Sequence, residues 1–541
     1  MARSTTATGS ALAAFALTAL AVFAAWWWLG APVKLPASPL TAGHKLSCVS
    51  YAPFRDGQDP LIEGTYVEPA QIDADLALLA NYTDCVRTYS IENGLDHVAE
   101  IAQRHGLKVL QGLWLSSDAQ KNRQQIATTI ALAKKYPATI EGVIVGNEVL
   151  LRGDMSVNDL MAIIREVKAQ VPEPVSYADV WEFWLRYRDV ASAVDFVTIH
   201  ILPYWEDFPL PARLAAAHVD EIRKKVAEAI PGKEILVGEF GWPRAGRMRE
   251  GALPSPSNQA LALGETLALA QREHFRLNVI EAFDQPWKRW LEGSVGGFWG
   301  IFDRATGAPK FSFTGGAVSD HPHWLLQAFA GIVLAASVFA GAFVARRDKQ
   351  EPALVWWRIA ALAFLPAVLF GLTLEKVPIE SFTIGSWLRS LAFAAVAAIA
   401  PVACAMASTV RRPLPAFASL LAPRERPRDA LTLVLGAAFT LLVVLALQAA
   451  LNLVFDPRYP DIPFAPLSGA VMSFLVLPLS TPRPKGVRPA AERVAAAVLV
   501  LSAVYIAINE TFANWQAVWF CAALLGLAFI LLQARDAPDS E

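Results

Sequence analysis

Eight long apolar stretches, one near the N-terminus and seven between residues 324 and 533, constrain this 541-residue chain more than any other feature. A helix that crosses a bilayer needs about 20 mostly apolar residues, because each backbone polar group must be satisfied within the segment. The candidates are 11–29, 324–344, 353–374, 384–408, 430–452, 464–480, 494–509 and 515–533. The stretch at 464–480 is short and carries Pro466 and Pro478, so it is the weakest of the eight. The first ends in Trp26, Trp27 and Trp28, which suit an interfacial anchor and make a poor small-residue cleavage site, so an uncleaved anchor is expected rather than a signal peptide. Arg358 and Arg389 lie near helix ends, where a long side chain can reach the headgroups.

Between the first and second stretches the composition changes. Residues 31–322 carry 29 Lys/Arg and 36 Asp/Glu, against 18 and 13 in the rest of the chain. That middle segment reads as a water-soluble domain of about 290 residues, and the net charge of -2 gives no footing for a nucleic-acid partner. The expected layout is a cytoplasmic N-terminus at 1–10, an anchor at 11–29, an exported domain at 31–322, a seven-helix membrane domain at 324–533 and a cytoplasmic tail at 534–541.

Loop charge sets the orientation. With eight spans and the N-terminus inside, 14 basic residues fall on the cytoplasmic side and only Lys376 and Arg458 on the other, the large domain being left out of the count. The soluble domain is therefore expected outside the cytoplasmic membrane. Of the four cysteines, Cys404 and Cys521 sit in apolar helices and read as packing residues, while Cys48 and Cys85 lie in the exported segment, where a bridge is permitted but not dictated by sequence. No metal-ligand spacing occurs.

Short apolar, β-rich runs alternate with amphipathic stretches from residue 46 onward. The strands are expected at 46–51, 85–89, 108–113, 140–146, 175–178, 196–200, 234–238 and 278–283. The helices between them are expected at 68–80, 94–105, 122–136, 157–170, 210–230 and 257–273, with 179–193 aromatic-rich and less clear. Buried parallel strands read as continuous apolar runs, and eight β/α units in this length match an α/β fold of the (β/α)8 TIM-barrel kind. A doubly wound open sheet is the runner-up, but no glycine-rich loop follows the first strand. A barrel places its chemistry at the C-terminal strand ends.

Two of those ends carry an acid directly after an apolar run. Val143-Ile144-Val145-Gly146-Asn147-Glu148 closes the fourth, and Ile235-Leu236-Val237-Gly238-Glu239-Phe240-Gly241-Trp242-Pro243 runs through the seventh. A carboxylate there is costly unless it is paired or solvated in a site. Two acids across one barrel mouth supply what glycoside hydrolysis needs, one protonated to assist the leaving oxygen and one ionised to attack the sugar carbon.

Over residues 46–313 the sequence resembles glycoside hydrolase family 17, the β-1,3-glucanase family, and within it a bacterial membrane-bound branch linked to β-(1,3)/(1,6)-glucan synthesis or remodelling. The Gly-Asn-Glu and Glu-x-Gly-Trp-Pro stretches, roughly 90 residues apart, carry the resemblance, with Val86-Arg87-Thr88-Tyr89 and Phe283-Asp284…Lys288…Glu292 as further matches. It implies Glu148 as acid/base, Glu239 as nucleophile and Asn147 on the sugar 2-hydroxyl. Tyr51, Arg87, Tyr89, His200, Tyr204, Trp242, Lys288 and Glu292 are the expected substrate-binding and supporting residues, Lys288 and Glu292 as an ion pair beside the nucleophile. His200, Leu202 and Gln285 stand where plant members carry other residues, which leaves linkage preference and the balance of hydrolysis and transfer open.

Asp73-Ala74-Asp75 has the spelling of a nucleotide-sugar metal motif but falls in an amphipathic run, so a solvated helix face is expected. Asn452, Asn509 and Glu510, at helix ends, are likewise expected to be solvated. The implied protein is an enzyme in the bacterial inner membrane, with its barrel on the periplasmic side. Its expected partners are a β-glucan, the bilayer and a glucan synthase complex, and no cofactor or metal is called for. The rival reading is a glucan exporter or scaffold whose barrel binds sugar without catalysis.

Overall fold

The eight apolar runs of the middle segment form eight strands in the computed structural model, which describes residues 2–37, 43, 45–346, 353–417, 420, 429–481 and 489–533. The expected tail at 534–541, and the basic residues Arg347, Lys349, Arg424, Arg426, Arg428, Arg483, Lys485 and Arg488, lie outside the described residues. The chain divides into two units, Val33–Val318 and a second made of Met1–Pro32 with Ser319–Glu541.

In the first unit the strands are β1 (Val33–Leu35), β2 (Cys48–Ser50), β3 (Cys85–Arg87), β4 (Lys108–Leu113), β5 (Ile140–Asn147), β6 (Val175–Val180), β7 (Val197–His200), β8 (Ile235–Phe240), β9 (Leu277–Val279) and β10 (Gly316–Val318). Strands β2 to β9 pair in parallel, each with the next, and β9 closes on β2 through Cys48↔Asn278 and Val49↔Val279. This is a closed eight-stranded barrel of the TIM type. Helices return the chain between strands, including Pro69–Leu79, Ala119–Lys135, Val157–Lys168, Ala215–Ala229 and Pro256–Glu273. Their ends follow local chemistry: Asp118, Ser156 and Ser255 each cap a helix by accepting backbone N–H bonds. The segment after β6 is a helix at Trp181–Arg186 and a 3-10 turn at Arg188–Ser192. An antiparallel pair of β1 with β10 joins the two ends of the unit, a pairing that three-residue strands do not announce in sequence.

The core lies between barrel and helices. Val49, Val86, Val109, Val143, Val175, Val197 and Val237 are each fully buried there, and burying such a side chain stabilises the fold by roughly 1.5–3 kcal/mol. Alternation along a strand puts Cys85 and Arg87 on one face, and likewise Cys48 and Ser50. Cys48 and Cys85 form a disulfide between β2 and β3 and pack with Leu110, Ile144, Ala178, Phe196 and Leu236. Beyond this layer the inner positions turn polar: Ser176 bonds Thr198 at 2.7 Å, and Asn278 donates to Ser50 and to the Gly238 carbonyl, both at 2.7 Å.

The described residues of the second unit form helices and their connections. Seven of the described helices are long and apolar enough to cross a membrane: Gly9–Leu29, Trp324–Ala345, Leu354–Glu380, Ile384–Thr409, Ala430–Phe455, Ala490–Glu510 and Trp515–Gln533. The eighth stretch is the shorter helix Phe464–Leu479, whose residues 464–471 are all buried. Cys404 and Cys521 are buried free thiols. Glu510 corrects an expectation: it is buried, not solvated, and accepts a hydrogen bond from Asn514 at 2.7 Å.

Candidate active site

Glu148 follows the last residue of β5 and sits in the left-handed backbone region, with φ of 53°. A side-chain-bearing residue there needs its surroundings to hold it. Gly146, at φ of 85°, makes the preceding turn, and the short helix Val149–Arg152 follows. The Tyr177 hydroxyl accepts the Leu150 N–H at 3.0 Å and donates to the Asp179 carboxylate. Asp179 also accepts the Val180 N–H at 2.8 Å. Arg152 donates to the Asn147 carbonyl, donates to the Leu115 carbonyl at 2.6 Å, and stacks on Trp114. The turn is clamped from both flanks.

Glu239 lies within β8. The Gly238 carbonyl beside it accepts Arg87 Nη1 at 2.6 Å. A Cβ at residue 238 would stand 2.2 Å from Thr198 Cγ2 and 3.2 Å from Arg87 Nη1, so glycine leaves the passage that the guanidinium uses. Arg87 rises from β3, only 1% exposed, and donates to Asn147 Oδ1 at 2.7 Å. Its Nη1 is 3.5 Å from Glu239 Oε1.

His200, at the end of β7, joins the two acids. Its Nδ1 is 2.7 Å from Glu148 Oε1 and its Nε2 is 3.5 Å from Glu239 Oε1. One donor atom from each of Glu148, His200 and Glu239 lies within 4.8 Å of the others. Glu239 is 6% exposed and Glu148 is 24% exposed, so the acid on β5 is the one that reaches solvent. Burial pushes the Glu148 carboxyl up, but the hydrogen bond from His200, then the charges of Arg152 and Arg87, oppose it, and the group is held below its ordinary value. Asp179 goes the other way: burial, helped by the Glu148 charge, lifts it to about 6 against the hydrogen bond from Tyr177.

Five expected site residues therefore meet at one strand-end cluster: Arg87, Asn147, Glu148, His200 and Glu239. Tyr89 adjoins it, half-buried, with its hydroxyl 2.7 Å from Ser50 and its ring 4.7 Å from the Arg87 guanidinium carbon. Tyr51, Tyr204 and Trp242 are corrected, because all three are fully buried and their ring faces are unavailable to a sugar. The Tyr51 hydroxyl is committed to Asp75, that of Tyr204 to the Arg247 carbonyl, and the Trp242 N–H to the Leu253 carbonyl. Asp75 is itself a correction: expected on a solvated helix face, it is buried and faces Arg55 and Arg304, while Asp73 keeps its contact with solvent. Trp181, Trp205 and Trp287 are half-buried.

Lys288 makes a close ion pair with Glu281, at 2.9 Å, and the charges of Glu292 and Glu239 also act on it. Burial lifts Glu281 to about 7 against the pull of Lys288. Asp179 and Glu281 were both missed in the sequence. The signal that picked out Glu148 and Glu239, an acid at the end of an apolar strand run, would have found them too.

The family model described as the BtgE/BtgC glycoside hydrolase domain matches residues 48–300. A glucan 1,3-beta-glucosidase of Saccharomyces cerevisiae is 26% identical over 263 residues, covering 44% of this chain and 84% of that protein. A probable beta-glucosidase btgE of Neosartorya fischeri is 27% identical over 225 residues, covering 40% of each. Among solved structures, a glycoside hydrolase family 17 beta-1,3-glucanosyltransferase from Rhizomucor miehei is 22% identical, with TM-score 0.45, covering 50% of this chain and 98% of that one. Over residues 48–300, most of the barrel unit, this chain is thus similar to the BtgE/BtgC glycoside hydrolase domain and to these glucosidases.

Proposed function

We propose that this protein is a membrane-anchored enzyme that cleaves and transfers β-1,3-glucan with retention of configuration. The observation that carries the reading is the approach of the Glu148 and Glu239 donor oxygens to within 4.8 Å at one barrel mouth. Retaining glycosidases hold their carboxyl groups about 5–5.5 Å apart, whereas inverting ones leave about 6.5–9.5 Å for a water. The names of the relatives, glucosidases of β-1,3-glucan, support the substrate class.

Glu239 attacks the anomeric carbon as the bond to the leaving sugar breaks, and Glu148 gives its proton to the departing oxygen. A covalent glycosyl-enzyme results. An incoming hydroxyl then attacks the same carbon, Glu148 takes its proton, and the bond to Glu239 breaks. Water gives hydrolysis and a sugar hydroxyl gives transfer, a 6-hydroxyl yielding a β-1,6 branch. Asn147 accepts from Arg87 through Oδ1, which leaves its amide N–H groups to donate to the sugar 2-hydroxyl.

Location belongs to the same reading. The described residues include seven helices apt to span a membrane, the basic residues favour a barrel at 31–322 outside the bacterial inner membrane, and the Cys48–Cys85 disulfide suits an oxidising side. The segments 11–29 and 324–533 would then tether the enzyme beside a glucan synthase complex. The test is product analysis of the full chain in detergent with laminari-oligosaccharides. Products longer than the donor indicate transfer and only shorter ones hydrolysis. Glu148→Gln and Glu239→Gln should each lower turnover by at least ~10³-fold while sparing binding. Unchanged turnover in both variants would overturn their catalytic roles, and sugar binding without any turnover by the wild-type chain would leave the exporter or scaffold reading.

A further inference from the structure

His200 has no role in the bond-making steps just described, yet it is fully buried and touches both acids. Its Nε2 lies 3.3 Å from both Nη1 and Nη2 of Arg87. A guanidinium can only donate, so Nε2 is the acceptor and the ring proton sits on Nδ1. That proton points at Glu148 Oε1, 2.7 Å away. Arg87 in turn cannot turn aside, because the Gly238 carbonyl and Asn147 Oδ1 hold its two ends. The tautomer is set by a residue on another strand.

We propose that His200 is a positioning residue which holds Glu148 Oε1 and so reserves Oε2 for giving and taking the proton of the sugar oxygen. The inference rests on the retaining mechanism proposed above. A carboxylate accepts a hydrogen bond more strongly than its acid does, so the same contact favours the ionised form. The groups facing Glu148 are His200 on β7, Arg87 on β3, Arg152 on its own short helix, Asp179 on β6 and Glu239 on β8. Three cationic or donating groups oppose two acids, and the balance lies with the donors. Glu148 is therefore ready as a base for the second step, and protonated Glu148 becomes scarce in the first step as pH rises.

Two donors separate this role from a merely structural one. Laminaritetraose has a sugar leaving group that needs a proton, whereas fluoride in β-laminaribiosyl fluoride needs little. Wild-type enzyme should show an alkaline limb in kcat/KM with the tetraose and a much flatter one with the fluoride. His200→Ala should lose at least tenfold more rate on the tetraose than on the fluoride, and its alkaline limb should move up by about one unit. His200→Gln, whose amide still donates, should recover most of that selective loss. Both the ratio of donors and the position of the limb are independent of the folded fraction, and His200→Gln decides the matter if the alanine variant does not fold. Equal losses on both donors with an unmoved limb would overturn the proposal. A wild-type enzyme inactive on both donors would instead overturn the function reading itself.

Discussion

One imidazole stands between the two acids of the barrel mouth: His200 places Nδ1 2.7 Å from Glu148 and Nε2 3.5 Å from Glu239. In the closed barrel β7 neighbours β8, where His200 is paired directly to Glu239, while its Nδ1 reaches past β6 to Glu148 at the end of β5. Arg87 joins them from β3, across the barrel interior. Four strands thus contribute to one hydrogen-bonded cluster.

Arg87 should be the least replaceable member of that cluster after the two glutamates. It is buried and meets the Gly238 carbonyl, Asn147, His200 and Glu239. A lysine supplies a charge but not a planar fork. Arg87→Lys should lower kcat/KM by about 10²-fold and destabilise the fold by about 2–4 kcal/mol, since partners of a buried charge are left unpaired. Parallel kinetics and chemical denaturation of the purified variant check this, and near-wild-type values in both would contradict it.

Cys48 and Cys85 close a loop with a sequence separation of 37. In the chain-entropy account such a cross-link stabilises by roughly 3–4 kcal/mol. The Cys48→Ser/Cys85→Ser double variant should therefore unfold at clearly lower denaturant concentration while retaining turnover under native conditions, because the bridge packs in a layer away from the acids. Thiol labelling of the denatured wild-type chain, before and after reduction, should reveal two protected thiols.

Glu182, in the helix after β6, has its carboxyl lifted to about 7 by burial, with the charges of Glu206 and Asp207 adding to it. An acid whose folded value exceeds its unfolded one holds more protons when folded. Its contribution therefore turns unfavourable as pH rises from about 4.5 to about 7, and stays so above. Glu182→Gln removes that effect. The variant should melt at the wild-type temperature near pH 4 and above it at pH 8. An advantage confined to low pH would contradict the assignment.

Much of this architecture was legible in the sequence for a definite reason. Buried parallel strands need continuous apolar runs, so all eight barrel strands stood out, and an acid at the end of such a run marked Glu148 and Glu239. Asp179 and Glu281 obey the same rule, but neither falls within a stretch that carries the family resemblance. Side-chain direction was not legible: Tyr51, Tyr204 and Trp242 flank the motifs in sequence, yet packing turns each ring into the core. Asp75 misled in the opposite sense, because a helix face that reads as polar can still be buried when Arg55 and Arg304 meet it from other segments. The pairing of β1 with β10 depends on residues nearly 300 positions apart, which local pattern does not encode.

The central claim, that Glu239 becomes covalently bonded to the sugar while Glu148 serves it with protons, is most directly tested by trapping. A 2-deoxy-2-fluoro-β-laminaribiosyl fluoride forms the glycosyl-enzyme but slows its breakdown. The account predicts a mass increase of one fluorinated disaccharide per chain, located on the peptide that contains Glu239, and its loss on adding an acceptor sugar. A label on any other residue, or an α-configured first product from the unmodified donor, would contradict it.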